Sequence, residues 1–301
     1  MSSHSFIENS KNEDIYISIN RKLYHRKEAK ISVFDSGFLL GDGVWEGIRL
    51  HNGKLVFIDE HLERLFRSAN GISLDIPLTK NEIINQINTV LTKNQMKNDV
   101  HIRLIISRGN KITPYQNPNA NVGPINFVII PEYKKTDPKT YQNGITIGRV
   151  SIIRPQDNIL STQYNTLSKL NCILASIEAN KLGYDEGIMN DPNGYISTCN
   201  STNLFFINNN EVWTSTGKYC LNGITRGKAI DICNKNKITC LEKEFIFDEI
   251  EDCDEAFVTG TFAGIIPVSK IENRILKSVN MGSMVNKIRE LYNKKILEST
   301  N

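Results

Sequence analysis

Three short polar clusters carry groups that could hold an anion. The first is Leu221-Asn222-Gly223-Ile224-Thr225-Arg226. A helix starting after Gly223 would turn its unbonded N–H groups outward, and Thr225 would add a hydroxyl, which makes a phosphate cradle. A plain helix cap with a surface arginine accounts for the same residues. The second cluster, Thr259-Gly260-Thr261-Phe262-Ala263-Gly264, follows the apolar run Ala256-Phe257-Val258. It reads as an anion nest of backbone amides or as an ordinary strand-to-loop bend. The third is Arg64, set between Leu62 and Leu65. Its guanidinium could grip a phosphate bidentately, or pair with Glu63 or Asp59. A further stretch, STQYNTLSKLN from Ser161 to Asn171, offers an amine at Lys169.

Other chemistries find little support. The six cysteines, Cys172, Cys199, Cys220, Cys233, Cys240 and Cys253, form no CxxC pair, and the five histidines form no HExxH, so no metal site is expected. Cys172 and Cys199 have no histidine nearby in sequence to activate them. The thiols read as mostly free, in a reducing cytoplasm. Lys and Arg number 36 against 33 acidic residues, a net charge of +3 that makes no case for nucleic acid. No apolar run is long enough to span a membrane, and the polar start MSSHSFIENSKNED lacks a signal-peptide core. No GxGxxG and no Walker motif occurs.

The elements that would position these clusters are mixed strands and helices. The polar tail 1–14 precedes an α/β portion, 15–133. IYISINRKLYH reads as a strand or hairpin, and WEGIRLHNGKLVF as two strands about an Asn-Gly turn. EHLERLFRSAN is an amphipathic helix with Asp59 as its cap, and a second helix runs from about Lys80 to Leu91. HIRLIISRG and PINFVIIPEY are strands. KKTDPKTYQNG, residues 134–144, is the expected linker to a second domain, 145–301. There Leu167, Leu170, Leu174 and Ile177 recur at helical spacing, which predicts a buried stripe with Lys169 off it, facing solvent or the rim of the site. RGKAIDICNKN and MGSMVNKIRELYNKKIL are further helices.

In order along the chain, VFDSGFLLGDGVWEGIR, EHLERLFRSA, HIRLIISRG, ILASIEANKLGYDEGIM, STNLFF, LNGITRGKAI and DEAFVTGTFAGIIPV resemble the class IV aminotransferases. These are the fold-type-IV enzymes that use pyridoxal 5′-phosphate, among them branched-chain aminotransferase, D-amino acid transaminase and aminodeoxychorismate lyase. The resemblance covers nearly the whole chain from about Tyr16. It implies a two-domain α/β fold with a cofactor cleft between the domains, a homodimer, and amino transfer between an α-amino acid and an α-keto acid. By position it assigns Arg64, Ile224, Thr225 and Thr261 to the cofactor phosphate, and Leu221 to the underside of the pyridine ring. Trp45, Arg49, Arg103, Phe262 and Ala263 fall on the substrate side. Trp45 stands where a Phe or Tyr is more usual. After Ser107-Arg108-Gly109 the chain reads NKITPYQ, without the RxH of the D-amino acid branch.

Two departures touch the chemistry. Counting back from ILASIEA puts the family's Schiff-base lysine at residue 165, which is Asn165. The glutamate that keeps the ring nitrogen protonated falls at Thr198. An amide is neither basic nor nucleophilic, and a threonine carries no charge to hold a ring proton. Lys169, one helical turn beyond if the segment is helical, is the candidate substitute. The resemblance therefore leaves three readings open: a transaminase with a displaced lysine, a non-catalytic relative binding pyridoxal phosphate or a phosphorylated metabolite, and a divergent enzyme using the cleft without covalent attachment.

Overall fold

The computed structural model describes residues 3–300, which fall into two compact units. The first comprises Ile7–Lys135 and Tyr164–Lys169. The second comprises residues 3–6, Thr136–Gln163 and Leu170–Ser299. The sequence places one contiguous break at 134–144. In the structure the short piece Tyr164–Lys169 returns to the first unit, because it hydrogen-bonds to that unit's sheet.

The first unit is built on strands β1 (Tyr16–Ile19), β2 (Lys22–His25), β3 (Gly43–His51), β4 (Lys54–Leu55), β5 (Val100–Ser107) and β6 (Asn126–Tyr133). Their order in the sheet is β2-β1-β6-β5-β3-β4, antiparallel throughout. The β3–β4 turn is Asn52-Gly53, both at positive φ, as the strand twist of a tight hairpin requires. Helices α1 (Ser36–Leu40), α2 (Ile58–Gly71) and α3 (Lys80–Lys93) belong to this unit. Leu62, Leu65 and Ala69 of α2, and Ile83, Ile87 and Val90 of α3, pack with Val44, Ile48, Ile102 and Leu104 into one core. Asp59 lies in the first turn of α2 and does not cap it; Phe57, at φ 51°, holds that place.

The second unit holds β7 (Ile145–Arg149), β8 (Glu186–Asn190), β9 (Ile196–Cys199), β10 (Asn203–Asn208), β11 (Glu211–Thr214), β12 (Cys240–Glu242), β13 (Glu255–Gly260), β14 (Gly264–Ile271) and β15 (Arg274–Ile275). They form one sheet ordered β9-β8-β7-β14-β13-β10-β11-β12, with β15 beside β14. Helices α4 (Leu170–Lys181), α5 (Ile224–Lys235) and α6 (Met284–Thr300) accompany it.

Two expectations change. The unit boundary at Lys135/Thr136 falls within the expected linker 134–144, where Pro138–Asn143 forms a helical turn capped by Asp137, with Thr140 buried. The N-terminal segment is not wholly loose, since Ser3 is buried and donates to the buried Glu186 carboxylate, and Ser10–Asp14 forms a 3-10 turn. The helix after STQYNTLSK starts at Leu170, and its packed residues are Ala175 and Ala179. Leu170, Ile173, Leu174 and Ile177 are exposed, so the apolar stripe read from the sequence does not face this unit's core.

Candidate active site

In the first unit the site is built on β3. Alternation turns Val44, Glu46, Ile48 and Leu50 to the helix-covered core. Trp45 and Arg49 fall on the opposite face. Glu46 interrupts an otherwise apolar row and is fully buried. Its Oε1 accepts from Arg64 Nε at 2.8 Å, and its Oε2 accepts from Arg64 Nη2 at 2.7 Å and pairs with His61 Nδ1 at 2.8 Å. Burial alone would push the Glu46 carboxyl up. The Arg64 charge and hydrogen bonds, with those of His61, more than reverse this and hold it below its ordinary value. Arg64 is thus a buried, oriented guanidinium. Its ion-pair partner is Glu46 of β3, while Glu63 pairs with Lys80 at 3.3 Å.

Beside this triad lies Asn165, which the resemblance assigned to the family's lysine position. Residues 165–167 are extended and pair antiparallel with the start of β3. Trp45 N–H donates to Asn165 O at 3.0 Å, and Leu167 N–H to Gly43 O at 2.9 Å. Asn165 is 1% exposed. Its backbone N–H donates to Ser68 Oγ at 3.0 Å, one turn along α2 from Arg64. Its Nδ2 donates to Trp45 O at 2.7 Å. The buried Oδ1 has no hydrogen-bond partner.

Lys169 does not follow the helical geometry expected of it, because α4 begins only at Leu170. It is half-buried, with Nζ 5.9 Å from the centre of the Trp45 ring. Of the two settings expected of it, solvent-facing or near the rim, the half-buried amine does not take the fully exposed one. Trp45 is held on several sides: its Nε1 donates to Thr166 O at 3.1 Å, and the Arg103 guanidinium lies 3.8 Å from its ring centre. Arg49 Nη1 donates to Lys134 O at 2.6 Å. Burial lowers the pKa of both Arg103 and Lys134, with Glu132 opposing. Three of the five substrate-side residues named from the sequence, Trp45, Arg49 and Arg103, thus share one face of the β3–β5 pair, where Gly47 stands opposite Arg103.

In the second unit α5 starts as the sequence suggests. Gly223 is its N-cap and supplies no side chain to the first amides. Glycine makes room there: a Cβ would lie 2.3 Å from Oδ1 of Asn203 and displace that side chain, whose Nδ2 donates to Leu221 O at 2.9 Å. Thr225 is buried, with Oγ1 3.4 Å from the Tyr292 hydroxyl of α6. A Cβ on Gly264 would lie 2.8 Å from the Tyr292 ring. Tyr292 therefore joins the α5 start, with Ile224 and Thr225, to the Thr261–Gly264 turn between β13 and β14. Thr261 is half-buried in that turn. Phe262 and Ala263 are buried; the Phe262 ring stacks on His4 at 6.1 Å, and Ala263 O accepts from Tyr141 Oη at 2.8 Å. Arg226 is no surface arginine. It donates to Ser215 O and to Glu242, each at 2.6 Å. Thr198, on β9, spends its hydroxyl proton on Thr202 O at 2.7 Å.

Sequence reasoning missed Glu46, His61, Asn203 and Tyr292. Glu46 was detectable in principle, as a carboxylate in the buried phase of an alternating strand. Among the described residues no group of His, Cys, Asp and Glu is arranged to hold a metal ion, and no helix is long and apolar enough to cross a membrane.

An α/β chain of two units, with a helix start and a strand turn joined through one tyrosine and a buried arginine beside the segment 165–167 paired to β3, defines the two-domain class IV aminotransferase architecture. Residues 43–271 match the family model described as amino-transferase class IV, and the chain belongs to that family. It is 34% identical over 277 residues to the putative branched-chain-amino-acid aminotransferase of Methanocaldococcus jannaschii, covering 92% of this chain and 94% of that one. It is also 34% identical over 278 residues to branched-chain-amino-acid aminotransferase-like protein 2 of Arabidopsis thaliana, covering 92% of this chain and 49% of that protein. The chain thus spans about half the length of the Arabidopsis relatives it matches. Among solved structures, the branched-chain aminotransferase of Thermoproteus uzoniensis with norvaline superposes with a TM-score of 0.84 at 29% identity, over 95% of this chain and 96% of that one.

Proposed function

We propose that this protein is a class IV aminotransferase relative that binds pyridoxal 5′-phosphate or a closely related phosphorylated ligand without covalent attachment at residue 165, and that ordinary amino transfer between an α-amino acid and an α-keto acid is not its activity. The observation that carries this reading is Asn165. The resemblance assigns it the family's lysine position, and in the structure it is buried and hydrogen-bonded through backbone and side chain to Trp45.

The residues present fit the phosphate end of the cofactor and not its reactive end. In the second unit the amides and hydroxyl of Ile224 and Thr225, and Thr261, would hold the phosphate, with Leu221 beneath the ring; in the first unit Arg64, oriented by Glu46, is the guanidinium that the resemblance assigns to it. When bound, the cofactor supplies an electrophilic carbon and an electron-withdrawing ring. Asn165 supplies no amine to hold that carbon and no base to move a proton. Thr198 carries no charge to stabilise a protonated ring nitrogen, and its own proton is committed to Thr202 O. Trp45, Arg49, Arg103, Phe262 and Ala263 would line the substrate side, where the guanidinium of Arg103 and that of Arg49 suit an acidic group on an amino or keto acid. By the family resemblance the working form would be a homodimer.

A second reading is favoured by one observation. The Lys169 amine lies 5.9 Å from the ring of the same Trp45 that binds Asn165, so a displaced lysine is within the neighbourhood of the lost one. Borohydride reduction of the protein with pyridoxal 5′-phosphate, followed by peptide mass spectrometry, separates the two. The expected result is no phosphopyridoxyl on the 164–171 peptide, together with saturable binding by titration calorimetry. Modification at Lys169 makes the protein a shifted-lysine enzyme. Absence of binding removes the cofactor reading altogether.

A further inference from the structure

Within the second unit, helix α5 and the edge strand β12 meet along one row of side chains. Arg226 and Cys233 lie seven positions apart on α5, two helical turns, and so share one face. Cys240 and Glu242 lie two positions apart on β12 and so share one side of the strand. The two rows run in opposite directions and match at both ends. Arg226 Nη2 donates to Glu242 at 2.6 Å, and the thiols of Cys233 and Cys240 are hydrogen-bonded to each other. The connection between the cysteines is closed by Ile238 N–H, which donates to Cys233 O at 2.9 Å, with Lys237 at φ 56°. Cys240 is fixed in turn by its strand, where it stands opposite Val212 of β11. A thiol–thiol contact has to contract by only about 2 Å to reach disulfide length.

The two sulfurs differ in setting. Cys233 is fully buried, whereas Cys240 is partly exposed. The hydrogen bond from the Cys233 thiol favours the Cys240 thiolate and holds Cys240 below its ordinary value, against burial and the nearby Glu242. The same bond, with burial, pushes the Cys233 thiol up. Cys199 and Cys220, also buried, face the hydroxyls of Thr202 and Ser215 instead of a second thiol. We propose that Cys233 and Cys240 are a redox pair that a hydroperoxide closes into a disulfide, with Cys240 attacked first. The Cys240 thiolate attacks a peroxide oxygen. An S–O bond forms, the O–O bond breaks, and the peroxide is reduced by two electrons to an alcohol or water, leaving a sulfenic acid on Cys240. The Cys233 sulfur then attacks the Cys240 sulfur. The S–S bond forms, the S–O bond breaks, and the departing hydroxide takes the Cys233 proton and leaves as water. Both residues lie in the second unit, and the reaction is independent of any ligand of the site. The product tethers α5 to β12 at both ends of the row, by the Arg226–Glu242 pair in its first turn and by the disulfide in its last.

The test treats the full chain, reduced and then freed of reductant, with hydrogen peroxide, and maps the product by thiol alkylation and tryptic mass spectrometry without reduction. The expected product joins the peptides Ala229–Lys235 and Ile238–Lys243 with the loss of two hydrogens, and a reductant separates them. Amides of residues 233–240 should exchange hydrogen about tenfold more slowly in the oxidised protein. Cys233→Ser should leave on Cys240 a sulfenic acid that dimedone captures, and Cys240→Ser should leave Cys233 unmodified over the same interval. Sulfenic or sulfinic acid on Cys240 of the unaltered chain with no joined peptides overturns the pairing, because Cys233 then fails to resolve it. Oxidation of another cysteine while both of these remain thiols overturns it as well. Both of these outcomes are read on the unaltered chain, so a variant that fails to fold does not obscure them.

Discussion

Asn165 and Trp45 are joined by two reciprocal hydrogen bonds, from Trp45 N–H to Asn165 O at 3.0 Å and from Asn165 Nδ2 to Trp45 O at 2.7 Å. This pairing makes residue 165 part of the sheet edge, and it fixes what a reversion can do. In Asn165→Lys the backbone bond remains and the side-chain bond to Trp45 O is lost, so an amine is placed at the family position on an unaltered backbone. Covalent capture of pyridoxal 5′-phosphate is expected, read as a phosphopyridoxyl mass on residue 165 after borohydride. Turnover should remain low until Thr198→Glu is added, because the neutral Thr198 leaves the ring nitrogen weakly protonated. Family-like turnover from the single change would show that Thr198 carries no such cost.

Glu46 gives a pH-dependent stability. Its folded-state pKa lies below the ordinary carboxylate value of about 4.3. The stabilisation is therefore fully present above that value, and it is lost as the pH falls through the depressed folded value. Urea midpoints of the unaltered protein should decline across that acid range. Glu46→Gln should lower stability at pH 7 by about 3–5 kcal/mol, since it strips the charge partner from buried Arg64, and should flatten this acid decline. Equal midpoints for the two proteins at pH 7 would mean that the Glu46–Arg64 pair contributes nothing net.

The same pair decides which phosphate variants are informative. Arg64→Ala removes the guanidinium and also leaves the Glu46 carboxylate buried beside His61 alone, so lost ligand binding and lost stability arrive together. Thr225→Val is cleaner, for it deletes one hydroxyl at the α5 start and keeps the side chain's shape. Inorganic phosphate and pyridoxal 5′-phosphate should each bind more weakly by about 1 kcal/mol, with the thermal midpoint little changed. Unchanged affinity by calorimetry would take Thr225 out of the phosphate site.

Much of the scaffold was legible because local rules and tertiary structure agree. The Asn52-Gly53 hairpin, the α2 and α3 faces and the Gly223 helix start all follow from residue type and spacing. The partner of Arg64 was not legible. Glu63 and Asp59 are near in sequence, but Glu63 is the adjacent helix position and projects about 100° away. The acceptor comes from β3, 18 residues earlier. The start of α4 was misread for a related reason. Thr166 and Leu167 look helical in a one-dimensional pattern, while the open edge of β3 takes them as an extended segment. That also displaced Lys169 from a helix surface to the neighbourhood of Trp45.

Phe34 and Phe38 are linked through backbone bonds to the segment carrying Ile112: Ser36 N–H donates to Gly109 O, and Lys111 N–H to Phe34 O, each at 2.9 Å. Phe38 is 72% exposed and Ile112 73%, with Val33 and Tyr115 also open. Apolar side chains gathered this way on two tied loops are costly to leave in water, at roughly 1.5–3 kcal/mol for each large one that a partner could cover. A second copy of this chain, related by a twofold axis, would cover both loops at once. Sedimentation velocity at micromolar concentration should show a dimer. Phe38→Glu and Ile112→Glu, which place charges in the patch, should each shift the population toward monomer without lowering the thermal midpoint of the monomeric fraction. A monomer in the unaltered protein would remove the dimer, and a dimer untouched by both substitutions would move the interface to another surface, with the exposed Leu170, Ile173, Leu174 and Ile177 face of α4 as the next to be altered.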